Sequence, residues 1–360
     1  MDNTVFEVLR TYDYENLILC QEKSLGLQAI IAIHDTTLGP AAGGVRMYPY
    51  DSEQSAINDV LRLARGMTYK GAAAGTNLGG GKCVVIGDPK HDKSEALFRA
   101  LGRFIERLSG LYIAGEDVGT TAQDMEIIAL ETSHVFSLPA EEEVAHFTAF
   151  GVVQATRACL QHIYGSADLQ GRTVAVQGVG AVGSDVVRRL VEAGATVTVA
   201  DTDQDKVDHI TKTYPVTSAH PDEIHSRPVD VYCPCALGAM LNERTLPELR
   251  CKIVCGAANN QLANEGCGDR IAQHGILYAP DYIVNAGGLI AYADGRHPTG
   301  FSRQRAMAAV ARIYDMTEQV LALAKEQDIP TFRAADRLAE QRIASVRQAK
   351  TLATGFVGST

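Results

Sequence analysis

Residues 173–201 constrain this chain more than any other stretch. Thr173–Gln177 is a short run rich in β-branched residues, the pattern of a buried strand. Gly178-Val179-Gly180-Ala181-Val182-Gly183 follows, then a helical pattern through Leu190 and Val191, then a second strand-like run at Thr196–Ala200 that ends in Asp201. A G-x-G-x-x-G alone is a weak signal, because Gly is common. The flanking strand and helix, with a carboxylate about 20 residues on, give it the context of a dinucleotide-binding turn. Gly178 permits the tight turn, Gly180 lets backbone approach a pyrophosphate, and Gly183 lets helix and strand pack closely. The helix N-terminus then offers free N–H groups and a partial positive charge to the phosphates, with Val179, Ala181 and Val182 completing the turn. A carboxylate at Asp201 accepts hydrogen bonds from both adenosine ribose hydroxyls and repels a 2′-phosphate. No Lys or Arg follows until Lys206, so the reading is NAD rather than NADP. The plainer alternatives are a ligand-free turn and an ordinary strand-end aspartate.

Strands alternating with helices imply a parallel, doubly wound α/β sheet for this part of the chain. The 360 residues are enough for two domains. The segment from Ser137 to His146 is charged and reads as the end of regular structure, which places a hinge there. The expected organisation is residues 1–140 as an N-terminal α/β substrate-binding and oligomerisation domain and residues 141–330 as a Rossmann-type NAD-binding domain, with a cleft between them. A C-terminal helix over 331–360 is expected to pack back on the first domain. Net charge is −10, which argues against nucleic acid or an anionic membrane as partner, because phosphate binding needs clustered Lys and Arg. The start Met1-Asp2-Asn3-Thr4 lacks a basic region followed by an apolar run, and no stretch approaches the roughly 18 apolar residues of a membrane helix. The cysteines at 20, 83, 159, 233, 235, 251, 255 and 267 form no Cys-x-x-Cys and read as reduced thiols in a cytoplasm. Cys251 and Cys255 fit no common zinc spacing, so no metal is expected.

Chemistry-bearing residues concentrate in the first part. Asp51 and Ser52 can cap a helix starting near Glu53, whose apolar positions Ile57, Val60, Leu61, Ala64 and Met67 recur at helical spacing. It runs into Thr68-Tyr69-Lys70. A small-residue loop is expected from Gly71 to Gly81, with Lys82 at its end and a strand at Cys83–Ile86. Two ammonium groups flanking such a loop would lower one another's pKa, which suits a base working near neutral pH. Either lysine alone would read as an ordinary surface residue. Asp117 follows the apolar run Leu111–Ala114 in Gly115-Glu116-Asp117-Val118-Gly119-Thr120, a carboxylate at a strand end beside glycines.

These residues bring a family into view. The chain resembles the glutamate/leucine/phenylalanine/valine dehydrogenases, most closely the leucine branch. The matching segments are His34 to Pro40, Gly66 to Lys70, Gly79 to Lys82, Gly115 to Thr120, Val176 to Gly180, Pro234 to Gly238, Gly256 to Gln261 and Tyr278 to Gly288, in family order. The resemblance implies NAD-dependent oxidative deamination of an apolar L-amino acid. Lys70 would hold the substrate carboxylate, helped by the Gly43-Gly44 backbone and Asn260. Lys82 would activate water, and Asp117 would shuttle protons to and from the amine. Thr148, Cys235, Ala236, Leu237, Ala257 and Asn259 would contact the cofactor. Homo-oligomers, dimers or octamers, are implied as well.

The side-chain pocket implied by the resemblance is Ala42, Gly115, Leu289 and Tyr292. Leucine enzymes generally carry Leu, Ala, Val and Val there. Ala42 and Gly115 widen the pocket, while Leu289 and Tyr292 refill it from the other side. Leucine, valine or isoleucine is the expected substrate, with phenylalanine or tryptophan as the alternative, since a methylene or two changes discrimination by only about 1–3 kcal/mol. Glu143-Val144-Ala145-His146-Phe147 stands where the family has Pro-Ser-Pro before Thr148. Two rival readings remain: a hydroxy-acid dehydrogenase, which would need His or Arg in the lysine role, and a non-catalytic NAD-binding regulator, which would be expected to lose Lys82 or Asp117.

Overall fold

A computed structural model describes residues 5–139, 142–236 and 238–355, with side chains to Thr351. The chain divides into two compact units: Met1–Ser137 with Ala339–Thr360, and Leu138–Leu338.

Unit one begins with α1 (Val5–Thr11), β1 (Asn16–Glu22), β2 (Leu27–Asp35) and β3 (Ala41–Tyr48). It continues with α2 (Glu53–Ala73), β4 (Gly79–Ile86), α3 (Glu95–Arg107), β5 (Tyr112–Glu116) and α4 (Ala122–Ala129). The sheet order is β1-β2-β4-β3-β5. β4 pairs antiparallel with β2 and parallel with β3, so it is hydrogen-bonded along both edges and Gly79–Val85 is buried. Ser52 caps α2 through a capping box with Ser55. The apolar stripe of α2, Ala56, Val60, Leu61 and Ala64, packs on Ile30, Ala32 and Val84. α3 covers the opposite sheet face with Phe98, Leu101 and Ile105 against Ile31, Met47, Cys83 and Tyr112. Each such large side chain taken out of water contributes about 1.5–3 kcal/mol.

The expected loop from Gly71 to Gly81 is corrected here. α2 continues to Ala73 and β4 already starts at Gly79, so Lys70 lies on a helix and Lys82 on a central strand. Successive glycines read as loop because they lack side chains to pack. Here the close approach of α2 demands them, since a methyl on Gly80 would overlap Thr68 Oγ1 and the Thr68 backbone N.

Unit two comprises α5 (Val144–Tyr164), β6 (Thr173–Gln177), α6 (Ala181–Glu192), β7 (Thr196–Ala200), α7 (Gln204–Thr213), β8 (Thr217–Ser218), β9 (Val231–Pro234) and β10 (Ile253–Val254). It continues with α8 (Glu265–Gln273), β11 (Leu277–Tyr278), α9 (Asp281–Val284), α10 (Gly287–Gly295), α11 (Arg303–Ala311), α12 (Ile313–Gln327) and the start of α13 (Thr331–Gly355). The pairings β6–β7, β7–β8, β6–β9, β9–β10 and β10–β11 are all parallel. Read outward from β6, the sheet order β11-β10-β9-β6-β7-β8 is that of a doubly wound dinucleotide fold, whose ligand crevice lies where the order reverses, between β6 and β9. The segment Ser137–His146 is not wholly irregular as expected: α5 already begins at Val144.

Candidate active site

In unit one the site grows from three neighbouring strands. Gly43 and Gly44 of β3 lie opposite Gly81 and Lys82, between the register pairs Ala42–Gly80 and Val45–Cys83. A Cβ on Gly44 would stand 2.7 Å from the Asp117 Cβ, and one on Gly43 would stand 3.1 Å from the Lys82 Cα. The two glycines therefore let the Lys82 and Asp117 backbones close in on β3. As a result Lys82 Nζ meets Asp117 Oδ2 at 3.1 Å. Lys82 is only 5 % exposed.

Arg46, two residues past Gly44, completes the group and was not singled out by the sequence. Its Nε donates to the same Asp117 oxygen at 2.7 Å, and its Nη1 donates to Asp59 Oδ2 on α2 at 3.0 Å. Tyr50 OH and Arg62 Nη2 also donate to Asp59, at 2.7 and 2.9 Å. Arg46 sits two residues beyond Gly44 on an alternating strand, so it falls on the same face as the glycine beside Asp117. That spacing was the signal that could have found it.

The electrostatics follow from burial. Desolvation pulls the Lys82 pKa below its ordinary value, against the attraction of Asp117, and Arg46 pushes the same way as burial. Burial pushes Asp117 up, but Lys82 and Arg46 together outweigh it and hold the carboxyl below its ordinary range. A lysine whose pKa is pulled down beside an ionised carboxylate is suited to take a proton from water or an amine and pass it on.

Lys70 is half-buried near the C-terminal end of α2, two residues past the Thr68 that rests on Gly80. Ala42 and Gly115 lie on neighbouring strands β3 and β5, where Ala42 pairs with Ile113 and Gly44 with Gly115. A methyl on Gly115 would touch the Phe136 ring at 3.5 Å.

Unit two carries the remaining predicted residues. Gly178 has φ +98°, and a Cβ there would stand 2.7 Å from the Ala236 N, so the turn rests directly on the segment after β9. Cys235 N–H donates to Gln177 O at 2.7 Å. The space around Gly180 is open, and no side-chain hydrogen bond caps α6 among the described residues. A Cβ at Gly183 would overlap Gly178 O, so only glycine lets Ala181, Val182 and Gly183 start the helix so close to the strand. Asp201 Oδ2 accepts from Val179 N–H at 2.8 Å. This open helix N-terminus, with a carboxylate beside it, fits the pyrophosphate and ribose of a dinucleotide.

Asn285 Nδ2 donates to Ala257 O at 3.0 Å and to Asn259 Oδ1 at 2.7 Å, which joins those two residues in one loop. Asn260 in the same loop has φ +52°, a left-handed conformation that Asn tolerates better than most residues. Thr148 lies 3.1 Å from where a Cβ on Gly288 would be, next to Leu289 on α10. Leu289 is buried and Tyr292, one turn further, is half-buried. His146 lies on α5, half-buried and 3.6 Å from Glu143. Leu237 lies outside the described residues. Among the described residues no group of three or more His, Cys, Asp or Glu side chains is placed to hold a metal ion, and no helix is long and apolar enough to cross a membrane.

Comparison with known proteins gives concordant matches. Residues 18–134 match the model of the Glu/Leu/Phe/Val dehydrogenase dimerisation domain. Residues 142–205 and 199–351 match that of the glutamate/leucine/phenylalanine/valine dehydrogenases. The chain is 49% identical over 351 residues to leucine dehydrogenase of Geobacillus stearothermophilus, covering 96% of this chain and 95% of that one. It is 48% identical over 341 residues to a valine dehydrogenase of Streptomyces albus, covering 93% of each. The solved L-tryptophan dehydrogenase of Nostoc punctiforme superposes with a TM-score of 0.85 at 42% identity, covering 96% of this chain and 100% of that one.

Proposed function

The chain belongs to the glutamate/leucine/phenylalanine/valine dehydrogenase family and is an amino acid dehydrogenase, and on that premise we propose that it converts leucine, valine or isoleucine with NAD into the 2-oxo acid, ammonium and NADH. The observation that carries the reading is the buried Lys82–Asp117 pair at 3.1 Å, with burial pulling the lysine pKa below its ordinary value. Lys70 holds the substrate carboxylate with the Gly43-Gly44 backbone. NAD, on the Gly178–Gly183 turn and read by Asp201, supplies the hydride acceptor. Lys82 removes a proton from water for attack at the oxidised Cα, and Asp117, held at Oδ2 by Arg46 and Lys82, carries protons to and from the nitrogen. The matched dimerisation domain, and the edge strand β1 with Leu19 71 % exposed, support a homo-oligomer.

Ala42 and Gly115 favour a second reading in which a larger aromatic substrate enters, phenylalanine or tryptophan. Tyr292 and the likeness to a tryptophan dehydrogenase support it too.

The deciding experiment is NADH absorbance at alkaline pH with a panel of L-amino acids and 2-hydroxy acids. Reduction with branched-chain amino acids ahead of aromatic ones is expected. Preference for aromatics selects the second reading, and turnover of hydroxy acids alone overturns both. Lys82→Ala should lower kcat about 100-fold or more with NAD binding intact, and near-normal turnover removes Lys82 from the base role.

A further inference from the structure

We propose that Arg46 is a positioning residue for the reaction: clamped between Asp117 and Asp59, its guanidinium fixes the Asp117 carboxylate and offsets its charge, so that the neighbouring Lys82 is free to work as a base. The inference rests on Lys82 being that base.

The geometry is specific. Arg46 Nε and Lys82 Nζ meet one oxygen, Asp117 Oδ2, at 2.7 and 3.1 Å, so the two cations are at most about 6 Å apart. The other arm of the fork, Nη1, is held by Asp59 Oδ2 at 3.0 Å. Asp59 is in turn fixed by the Tyr50 hydroxyl and by Arg62. A guanidinium bridges two carboxylates in a fixed plane, which an ammonium cannot do.

Charge counting shows what this achieves. With Lys82 neutral, the anions Asp117 and Asp59 are matched by the cations Arg46 and Arg62. Deprotonation of Lys82 thus leaves a balanced cluster. Without Arg46, Lys82 would face an unopposed carboxylate that stabilises the ammonium form and keeps the base protonated. Around Lys82, β3 brings Arg46, the end of β5 brings Asp117, and α2 brings Asp59 and carries Lys70 near its C-terminal end. From β2 the register partner is Ala32, which is uncharged.

Because Arg46 and Asp59 act on Lys82 with opposite sign, their removal should move the pH profile in opposite directions. In Arg46→Met the acid limb of kcat/KM for the amino acid should move to higher pH by about one unit, with kcat at neutral pH falling about tenfold. In Asp59→Asn the limb should move to lower pH. Arg46→Lys restores the charge without the fork, so its limb should return towards the wild-type position while kcat stays reduced. NAD affinity, carried by unit two, should be unchanged in all three.

A folded Arg46→Met enzyme with an unmoved limb overturns the proposal, as does a shift of both variants in one direction, or an Arg46→Lys limb displaced as far as that of Arg46→Met. Should Arg46→Met not fold, Arg46→Lys and Asp59→Asn carry the test by the sign of their shifts. Lys82→Ala separates the layers. If it stays active, the base reading itself falls and this inference with it. If it is inactive while the Arg46 variants keep the wild-type limb, only the role of Arg46 falls.

Discussion

Both oxygens of Asp201 accept backbone hydrogen bonds, Oδ2 from Val179 N–H at 2.8 Å and Oδ1 from Asp203 N–H at 3.0 Å. Burial pushes its pKa up, but the donated N–H groups of Asp203 and Val179, with Lys206 nearby, win and hold it below the usual carboxylate value. The side chain therefore shapes the Gly-rich turn as well as offering acceptors to a ribose. A carboxylate has about four lone-pair sites, so these backbone donors do not exhaust its capacity to accept from a ribose hydroxyl. Asp201→Ala should weaken NAD about tenfold or more and narrow its advantage over NADP, as measured by cofactor titration with each nucleotide. An unchanged preference would mean that another group reads the ribose.

At the scale of elements, α2 against β4 decides whether the chemistry assembles. Thr68 sits on Gly80, its hydroxyl reaching His34 Nδ1 at 2.8 Å while His34 Nε2–H donates to Tyr12 O at 3.1 Å. The helix can approach so closely only because β4 has no side chain at that point. Gly80→Ala should destabilise the protein by about 1–3 kcal/mol in denaturant unfolding, because the added methyl forces apart a packed helix and strand. KM for the amino acid should rise as well, since Lys70 and Lys82 lie on the separated elements, and a variant with wild-type KM and midpoint would show the packing to be dispensable. Much of this was legible in the chain. A run of β-branched residues marks β6, a 3.6-residue pattern marks α2, and Gly178–Gly183 with Asp201 marks the turn. Other parts were not. The strand Gly79–Ile86 has no periodicity at its glycine end because the constraint on it is the absence of side chains, imposed by a helix earlier in sequence. Arg46 was hidden for a related reason: its partners Asp59 and Asp117 stand 13 and 71 residues away, and only the packing of α2 on the sheet and the β3–β5 pairing bring them together.

For the whole molecule, the last helix does work far from its place in sequence. α13 belongs to unit two through Leu338 and to unit one from Ala339. In unit one it supplies a cap for α2. Arg342 Nη1 donates to Ala72 O at 2.8 Å and Gly71 O at 3.2 Å, carbonyls that a helix end leaves without intrahelical partners. Arg347 Nη2 donates to Asp35 Oδ2 at 2.6 Å at the end of β2. Ala339, Ile343 and Val346 pack on Leu38, Tyr69 and Ala72. The capped end of α2 is the end that carries Lys70. A chain ending after Leu338 should therefore lose about 3 kcal/mol or more of stability in unit one while unit two is spared. Hydrogen exchange would read this directly: amides at the C-terminal end of α2 and in β4 should lose protection, those in β6 and β7 should not, and NAD should still bind. Since the carboxylate-binding lysine sits on the loosened turn, the truncated enzyme's residual activity should show its defect in KM for the amino acid before kcat. Equal protection across both units after truncation would mean that α2 holds its end without Arg342, and that the C-terminal helix has no part in ordering Lys70.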